Sequence, residues 1–308
     1  MKIERFRLLE GREDITLTAY LYMDAPKLLN GKKRPAVLVC PGGAYLRCSD
    51  REGEPVALRF AAMGYHAFLL HYSTYSEGGT PPEGAGPLPV KERLVHPAPM
   101  RDVGLAMQLI CARADDWGVD SERIALCGFS SGGHNAAMYA TRWQELPGCP
   151  RPAALILGYA LSDYVFKAAY EARQPEGVRM VFQASDSAFL GTTEPTAEQL
   201  EDVSPARHVT RDTPPTFLWA TAADELVPVQ HSLLMAKALA DAQVPFELHV
   251  FEEGPHGMAL ADQASAEARS QCREDAAGWV ALADKWLKKR FALPLPEKTA
   301  VQIMLENR

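Results

Sequence analysis

The chain has 308 residues, 47% hydrophobic and 23% charged, with a formal net charge of −7. That content buries a large core and excludes intrinsic disorder, because apolar residues are plentiful and net charge per residue is low. The negative balance argues against a surface built to grip nucleic acid or anionic lipid, and the short basic clusters at 32–34 and 288–290 read as a solvated turn and a helix end.

The N-terminus, Met1-Lys2-Ile3-Glu4-Arg5, is charged and leads into alternating residues without an apolar signal-peptide core. No apolar run approaches the roughly 20 residues of a membrane-spanning helix, so a cytoplasmic protein without a membrane partner is expected. Six cysteines stand at irregular spacings with no CxxC pair. Cys40, Cys111 and Cys127 lie in apolar runs and read as reduced, buried thiols.

In chain order, residues 15–23 are rich in β-formers and predict a strand. Pro35 opens the apolar run 36–40, closed by Pro41-Gly42-Gly43, as expected of a strand buried on both faces. A helix with Val56, Ala57, Phe60, Ala61 and Met63 on one face stops at Gly64, and residues 66–72 form the next strand. Residues 76–99, with six prolines and four glycines, predict a long irregular loop. Then follow a helix (100–117), a strand (123–128), a helix (136–143) and a strand (153–158). The rhythm breaks over 163–209, then resumes with a strand (216–220), a helix (229–242), a strand (246–251) and a helix (264–291). Such alternation predicts one α/β domain over 1–308, with a mostly parallel sheet and helices on both faces. Residues 73–99 and 163–209 are then inserts over the sheet. The tail 291–308 carries Val301, Ile303, Met304 and Leu305, which must pack on the body or on a partner subunit of a homo-oligomer.

The strongest chemical signal is Gly128-Phe129-Ser130-Ser131-Gly132-Gly133, a G-x-S-x-G motif between a buried strand and a helix. Glycines at 128 and 132 allow a turn tight enough to leave Ser130 exposed as a nucleophile. A hydroxyl needs a base, and the base needs an acid to orient it. Asp224 follows the strand ending near Ala220, and His256 follows the strand ending at Phe251. The chain order Ser…Asp…His thus puts all three at carboxyl ends of parallel strands. Glu225 is the adjacent alternative acid. His134, one helical turn after Ser130, reads as packing, whereas His96 follows the proline-rich loop and could line a pocket. Oxyanion donors are expected from the Ser131 N–H and from the loop Pro41-Gly42-Gly43-Ala44-Tyr45, whose small residues let the backbone approach a substrate oxygen. Tyr45, Tyr72, Tyr75 and Tyr164 follow strand ends, and Tyr45 and Tyr72 are candidate substrate-binding residues. No His/Cys/Asp cluster shows metal-ligand spacing, and the chemistry needs neither metal nor cofactor.

These residues carry a resemblance. Residues 41–45, 128–134, 224–228 and 254–257 resemble the HGGG-type loop, nucleophile elbow, acid and base segments of the acetyl esterase branch of the α/β-hydrolase superfamily, related to hormone-sensitive lipase. Ser49-Asp50-Arg51-Glu52-Gly53 extends the likeness toward bacterial esterases that deacetylate xylan fragments or related sugars. The resemblance implies an α/β-hydrolase fold with a small lid. It also implies oxyanion donors at Gly43, Ala44 and Ser131, and a short-chain ester as the small-molecule substrate. Pro41 and Ala44 replace the histidine and a glycine of the family loop without removing the donors at Gly43 and Ala44. An amidase, arylformamidase or peptidase-like hydrolase on the same three residues, or a hydrolase fold kept as a binding protein, are the competing readings.

Overall fold

The computed structural model describes residues 1–23, 32–82, 86–292 and 295–306. The apolar runs become the strands β1 (Lys2–Leu9), β2 (Arg12–Leu21), β3 (Arg34–Cys40), β4 (His66–His71), β5 (Val119–Phe129), β6 (Ala154–Gly158), β7 (Thr216–Thr221) and β8 (Phe246–Phe251). They form one sheet in the order β1-β2-β4-β3-β5-β6-β7-β8, antiparallel from β1 through β4 and parallel from β4 through β8. β3, β6 and β7 are buried along their whole length, because helices cover both faces of a parallel sheet. Alternation along β3 sends Ala36, Leu38 and Cys40 into one core layer and Val37 and Val39 into the other.

The helices are α1 (Glu54–Ala62), α2 (Ala98–Ala112), α3 (Ala114–Trp117), α4 (Ser130–Arg142), α5 (Tyr164–Glu171), α6 (Glu176–Leu190), α7 (Ala197–Asp202), α8 (Gln230–Asp241), α9 (Glu274–Ala277), α10 (Trp279–Phe291) and α11 (Ala300–Glu306). Buried residues of α2, α4 and α8 fill one layer, and those of α1 and α10 fill the other around Trp219, Trp279 and Trp286. From β3 the chain goes on to β4 on one side, while β5 lies on the other. Loops leaving the carboxyl ends of β3 and β5 therefore diverge, and that is where open α/β sheets leave a crevice. The Pro41–Tyr45 loop and Ser130 both stand there.

Two expectations are revised, and two are made specific. The alternating N-terminus is itself a strand: β1 pairs with β2 across a turn at Gly11, whose φ of +74° suits glycine. The helix expected over 264–291 is short. Residues 264–273 are irregular apart from a 3₁₀ turn at Arg269–Gln271, because polar and small residues there leave no apolar stripe. Insert 163–209 folds into α5, α6 and α7, and its Gly86 and His96 contacts tie the two inserts together: Gly86 N–H donates to Met180 O and His96 N–H to Phe189 O. Within α11, Val301, Ile303, Met304 and Leu305 are all exposed, so the body does not cover them. No helix among the described residues is long and apolar enough to cross a membrane.

Candidate active site

Ser130 opens α4 directly from β5 with φ +50°, a left-handed conformation that non-glycine residues adopt at a cost. The turn leaves no room beside it. A Cβ on Gly128 would lie 2.5 Å from Gly132 O, and one on Gly132 would lie 2.2 Å from Pro41 O. His256 sits in the loop after β8 between Gly254 (φ +137°) and Gly257 (φ +76°). Asp224 sits in the turn after β7.

These loops bring the three side chains into one line. His256 Nε2 is 2.8 Å from Ser130 Oγ, and His256 Nδ1 is 2.7 Å from Asp224 Oδ2. Asp224 is fixed from its other oxygen, where Oδ1 accepts the N–H groups of Leu226 (3.0 Å) and Val227 (2.9 Å). With the carboxylate on Nδ1, the neutral ring carries its proton there and turns the Nε2 lone pair toward the hydroxyl. The Asp224 side chain is 1% exposed, which shields the pair from water. Glu225 is exposed instead, and its backbone carbonyl accepts from Tyr170 Oη. A cavity of about 530 Å³, lined in part by Leu226, Pro255, Ser270 and Arg273, reaches His256.

The loop after β3 runs through three consecutive positive φ values, at Gly43 (+127°), Ala44 (+57°) and Tyr45 (+58°). Its ends are pinned: Gly43 O accepts from Leu46 and Arg47, Gly42 O accepts from Ser49, and Tyr45 N–H points at Ser131 Oγ (3.4 Å). Among the described residues, no acceptor within the chain takes the N–H of Gly43 or Ala44. The N–H of Ser131 lies in the first turn of α4, where no intrahelical acceptor exists. These three donors and the hydroxyl–imidazole–carboxylate line are the parts that acyl transfer needs.

Tyr45 and Tyr72, expected to hold substrate, spend their hydroxyls on contacts inside the protein, although Tyr72 also lines a polar cavity of about 480 Å³. Each is 1% exposed. Tyr72 Oη donates to Pro41 O at 2.6 Å, and Tyr45 Oη lies 2.6 Å from His134 Nδ1, with its ring stacked on Phe189. Strand-end aromatics are drawn under the loop by burial, and a buried hydroxyl must find a partner. Both therefore brace the loop from below. Tyr164 is likewise buried beside His134, and Tyr75 carries Lys91 over its ring. His134 packs as expected. Its Nε2 donates to Val203 O at 2.8 Å, so Nδ1 accepts from Tyr45, and burial pushes its pKa down to about 3. His96 lies against Phe189 and Asp202.

Two side chains outside the expectations also stand here. Glu52, 3% exposed, accepts the Gly42 N–H on Oε2 (2.8 Å) and the Tyr159 hydroxyl on Oε1 (2.7 Å). Tyr159 Oη in turn accepts from Ala259 N–H (2.8 Å), and its ring meets the His256 ring edge-on at 5.0 Å. Glu52 lies in the Ser49–Gly53 segment of the resemblance, which gave it no role, and Tyr159 looks like any residue after a strand. Among the described residues, no group of three or more His, Cys, Asp and Glu could hold a metal ion.

Comparison with known proteins agrees with the architecture. A family model described as BD-FAE matches residues 90–239. An α/β-hydrolase enzyme from a Medee basin deep-sea metagenome library has a solved structure that is 31% identical, covering 94% of this chain and 97% of that one, with a TM-score of 0.70. The chain belongs to the α/β-hydrolase family. Its relatives are carboxylic ester hydrolases and carbohydrate-active hydrolases. An acetyl ester-xyloside bifunctional hydrolase from Caldicellulosiruptor lactoaceticus is 28% identical with a TM-score of 0.72, covering 93% of this chain and 96% of that one. An endo-1,4-β-xylanase B of Butyrivibrio fibrisolvens is 30% identical over 254 residues, 80% of this chain. The chain spans only 35% of that xylanase, and 47% and 48% of two esterases of Mycobacterium tuberculosis that it also matches.

Proposed function

We propose that the protein is a serine carboxylesterase that hydrolyses short acyl esters, acetyl first, through an acyl-enzyme. Ser130 attacks the ester carbonyl, and His256 takes the hydroxyl proton and returns it to the leaving alcohol. Asp224 holds the imidazole and balances its charge. The N–H groups of Gly43, Ala44 and Ser131 receive the oxyanion. Water then enters by the same route, with His256 again as base, and releases the acid. The observation that carries this reading is the unbroken line Ser130 Oγ–His256 Nε2 (2.8 Å) and His256 Nδ1–Asp224 Oδ2 (2.7 Å). No metal or cofactor is required by these steps.

An acetylated sugar is the alcohol side we favour, by likeness to the acetyl ester-xyloside hydrolase. A polar cavity of about 480 Å³ lies on the far side of the segment that follows the oxyanion loop, lined by Arg47, Asp50, Asp14, Tyr72, Thr74 and His71 among others. Hydrogen-bonding groups of both signs suit a polyol. Two measurements test the reading. A fluorophosphonate should label Ser130 in the wild type and not in Ser130→Ala, whereas an unreactive Ser130 would leave a binding protein. Rates on acetylated xylo-oligosaccharides should exceed those on simple acetate esters; equal rates would remove the sugar and leave the esterase.

A further inference from the structure

The turn Asp50–Glu52 touches neither Ser130 nor His256, yet it grips the two loops that flank them. Glu52 uses both carboxylate oxygens. Oε2 holds the first amide of the oxyanion loop, Gly42 N–H, and Oε1 holds the Tyr159 hydroxyl. That hydroxyl accepts Ala259 N–H, three residues beyond His256, so the carboxylate is joined to the His256 loop through one side chain. Next to it, Arg51 Nη1 donates to Gly257 O at 2.7 Å and fixes the same loop one residue past His256.

The fit around Gly42 is tight. A Cβ there would lie 2.8 Å from Glu52 Oε2, 2.7 Å from Phe129 O and 2.8 Å from the Ser130 Cβ. Glu52, the oxyanion loop and the serine turn therefore share one contact point, and a shift of the carboxylate displaces the loop relative to Ser130. Tyr159 pays a backbone cost to reach its place, with φ +37°. A buried carboxylate is also expensive to bury, and apolar packing would hold two loops at lower cost. What the carboxylate adds is direction: two charge-assisted hydrogen bonds at fixed angles to two different loops.

We propose that Glu52 is a positioning residue, which sets the oxyanion loop through Gly42 and the His256 loop through Tyr159 at one fixed separation about Ser130. The proposal rests on the serine-esterase reading above. Because Gly42 N–H is committed to Glu52, the following amides of Gly43 and Ala44 are the ones left to face the reacting carbonyl. Glutamine at 52 can accept from only one of the two donors, since its other terminal atom is itself a donor.

The test compares wild type, Glu52→Gln and Tyr159→Phe. Each is titrated with a fluorophosphonate to count reactive sites, assayed for kcat and KM on p-nitrophenyl acetate, and inhibited with a trifluoromethyl ketone, whose adduct places an oxyanion in the hole. Per titrated site, Glu52→Gln should lose about 10–100-fold in kcat and a similar factor in inhibitor affinity, with KM changed less than about 3-fold, because the lost interaction is realised in the transition state. Tyr159→Phe should lose about 3–10-fold in kcat, and the double variant should lose less than the product, as expected within one network. Per-site kcat and inhibitor affinity within about 2-fold of wild type would overturn the proposal. So would a loss fully explained by fewer titrated sites and a lower melting temperature, which is what a purely structural role predicts. If Glu52→Gln does not fold, Tyr159→Phe decides by the same criteria. A wild type that never reacts with the fluorophosphonate refutes the esterase reading and takes the positioning role with it, an outcome distinct from a reactive wild type with an indifferent variant.

Discussion

Ser130 illustrates how little of a residue's chemistry is its own. Its hydroxyl is ordinary; the left-handed turn presents it, only 8% exposed, to His256 Nε2 at 2.8 Å, the base that in the proposed role takes its proton. In the proposed role, Ser130→Ala should leave the thermal transition within a few degrees and lower ester hydrolysis by about 10³-fold or more, since the nucleophile acts only in the reaction. A variant keeping several per cent of the wild-type rate would assign the attack elsewhere. Asp224 has two tasks that one substitution separates. In Asp224→Asn the remaining carbonyl oxygen can still accept from Leu226 and Val227, which keeps the turn, but the amide no longer holds the imidazole in the working tautomer. We expect a fall of about 10²–10⁴-fold in kcat/KM with stability nearly unchanged, and a smaller fall than in His256→Ala. An active Asp224→Asn enzyme would move the acid role to another carboxylate.

At the scale of elements, the inserts decide what the crevice can accept. The large apolar residues of α6 are spent on packing: Phe182 and Phe189 are 5% and 1% exposed, and Phe189 stacks on Tyr45 beneath the oxyanion loop. Little apolar lining is left for a long acyl chain, which gains affinity by burying methylenes at about 0.8 kcal/mol each. Among p-nitrophenyl esters, kcat/KM should therefore fall from acetyl to octanoyl; octanoyl cleaved faster than acetyl would contradict it. The same packing makes Tyr45 structural. Tyr45→Phe strips His134 Nδ1 of its partner inside the core and should destabilise the protein by about 1–3 kcal/mol, measured by denaturant unfolding.

Across the whole molecule, burial lowers His71, His96, His134 and His231 and raises Asp102 and Asp186, so several buried groups share the pH dependence. Burial pushes His134 down to about 3 and His231 to about 4, from an ordinary 6.5. Their folded values lie below their unfolded ones, so their contribution is whole above pH 6.5 and is lost as pH falls toward those values. Asp102 works the other way. Burial raises it from 3.8 to about 6, so its contribution is whole below its unfolded value and is lost as pH rises through 6. Between these limits, unfolding takes up two protons on the histidines and releases one from Asp102. The three groups together then weaken the fold by about 1.4 kcal/mol per pH unit of acidification. Asp102→Asn should steepen the slope of stability against pH by about 1.4 kcal/mol per pH unit and His134→Gln should reduce it by a similar amount, read from urea unfolding at pH 4.5, 5 and 5.5. Slopes unchanged in both variants would show that these groups do not govern the acid response.

The parallel core and the three residues of the candidate site were legible along the chain, because each rests on a local rule. Strands buried on both faces read as continuous apolar runs, and G-x-S-x-G between a strand and a helix has one tight geometry. Loops after successive strands of such a sheet emerge at one edge, which made Asp224 and His256 legible although 32 residues separate them. The remainder depended on long-range packing. The edge strand β1 needed its partner β2 to be recognised, since its own residues are only half apolar. The hydroxyl partners of Tyr45 and Tyr72 could not be read until the elements around them were in place, because an aromatic after a strand satisfies burial and binding equally well. Glu52 and Tyr159, 107 residues apart, meet only when the switch point brings the loop after β3 beside the loops after β6 and β8. No local pattern encodes such a meeting, because the free energy that fixes it comes from the packing of the whole sheet.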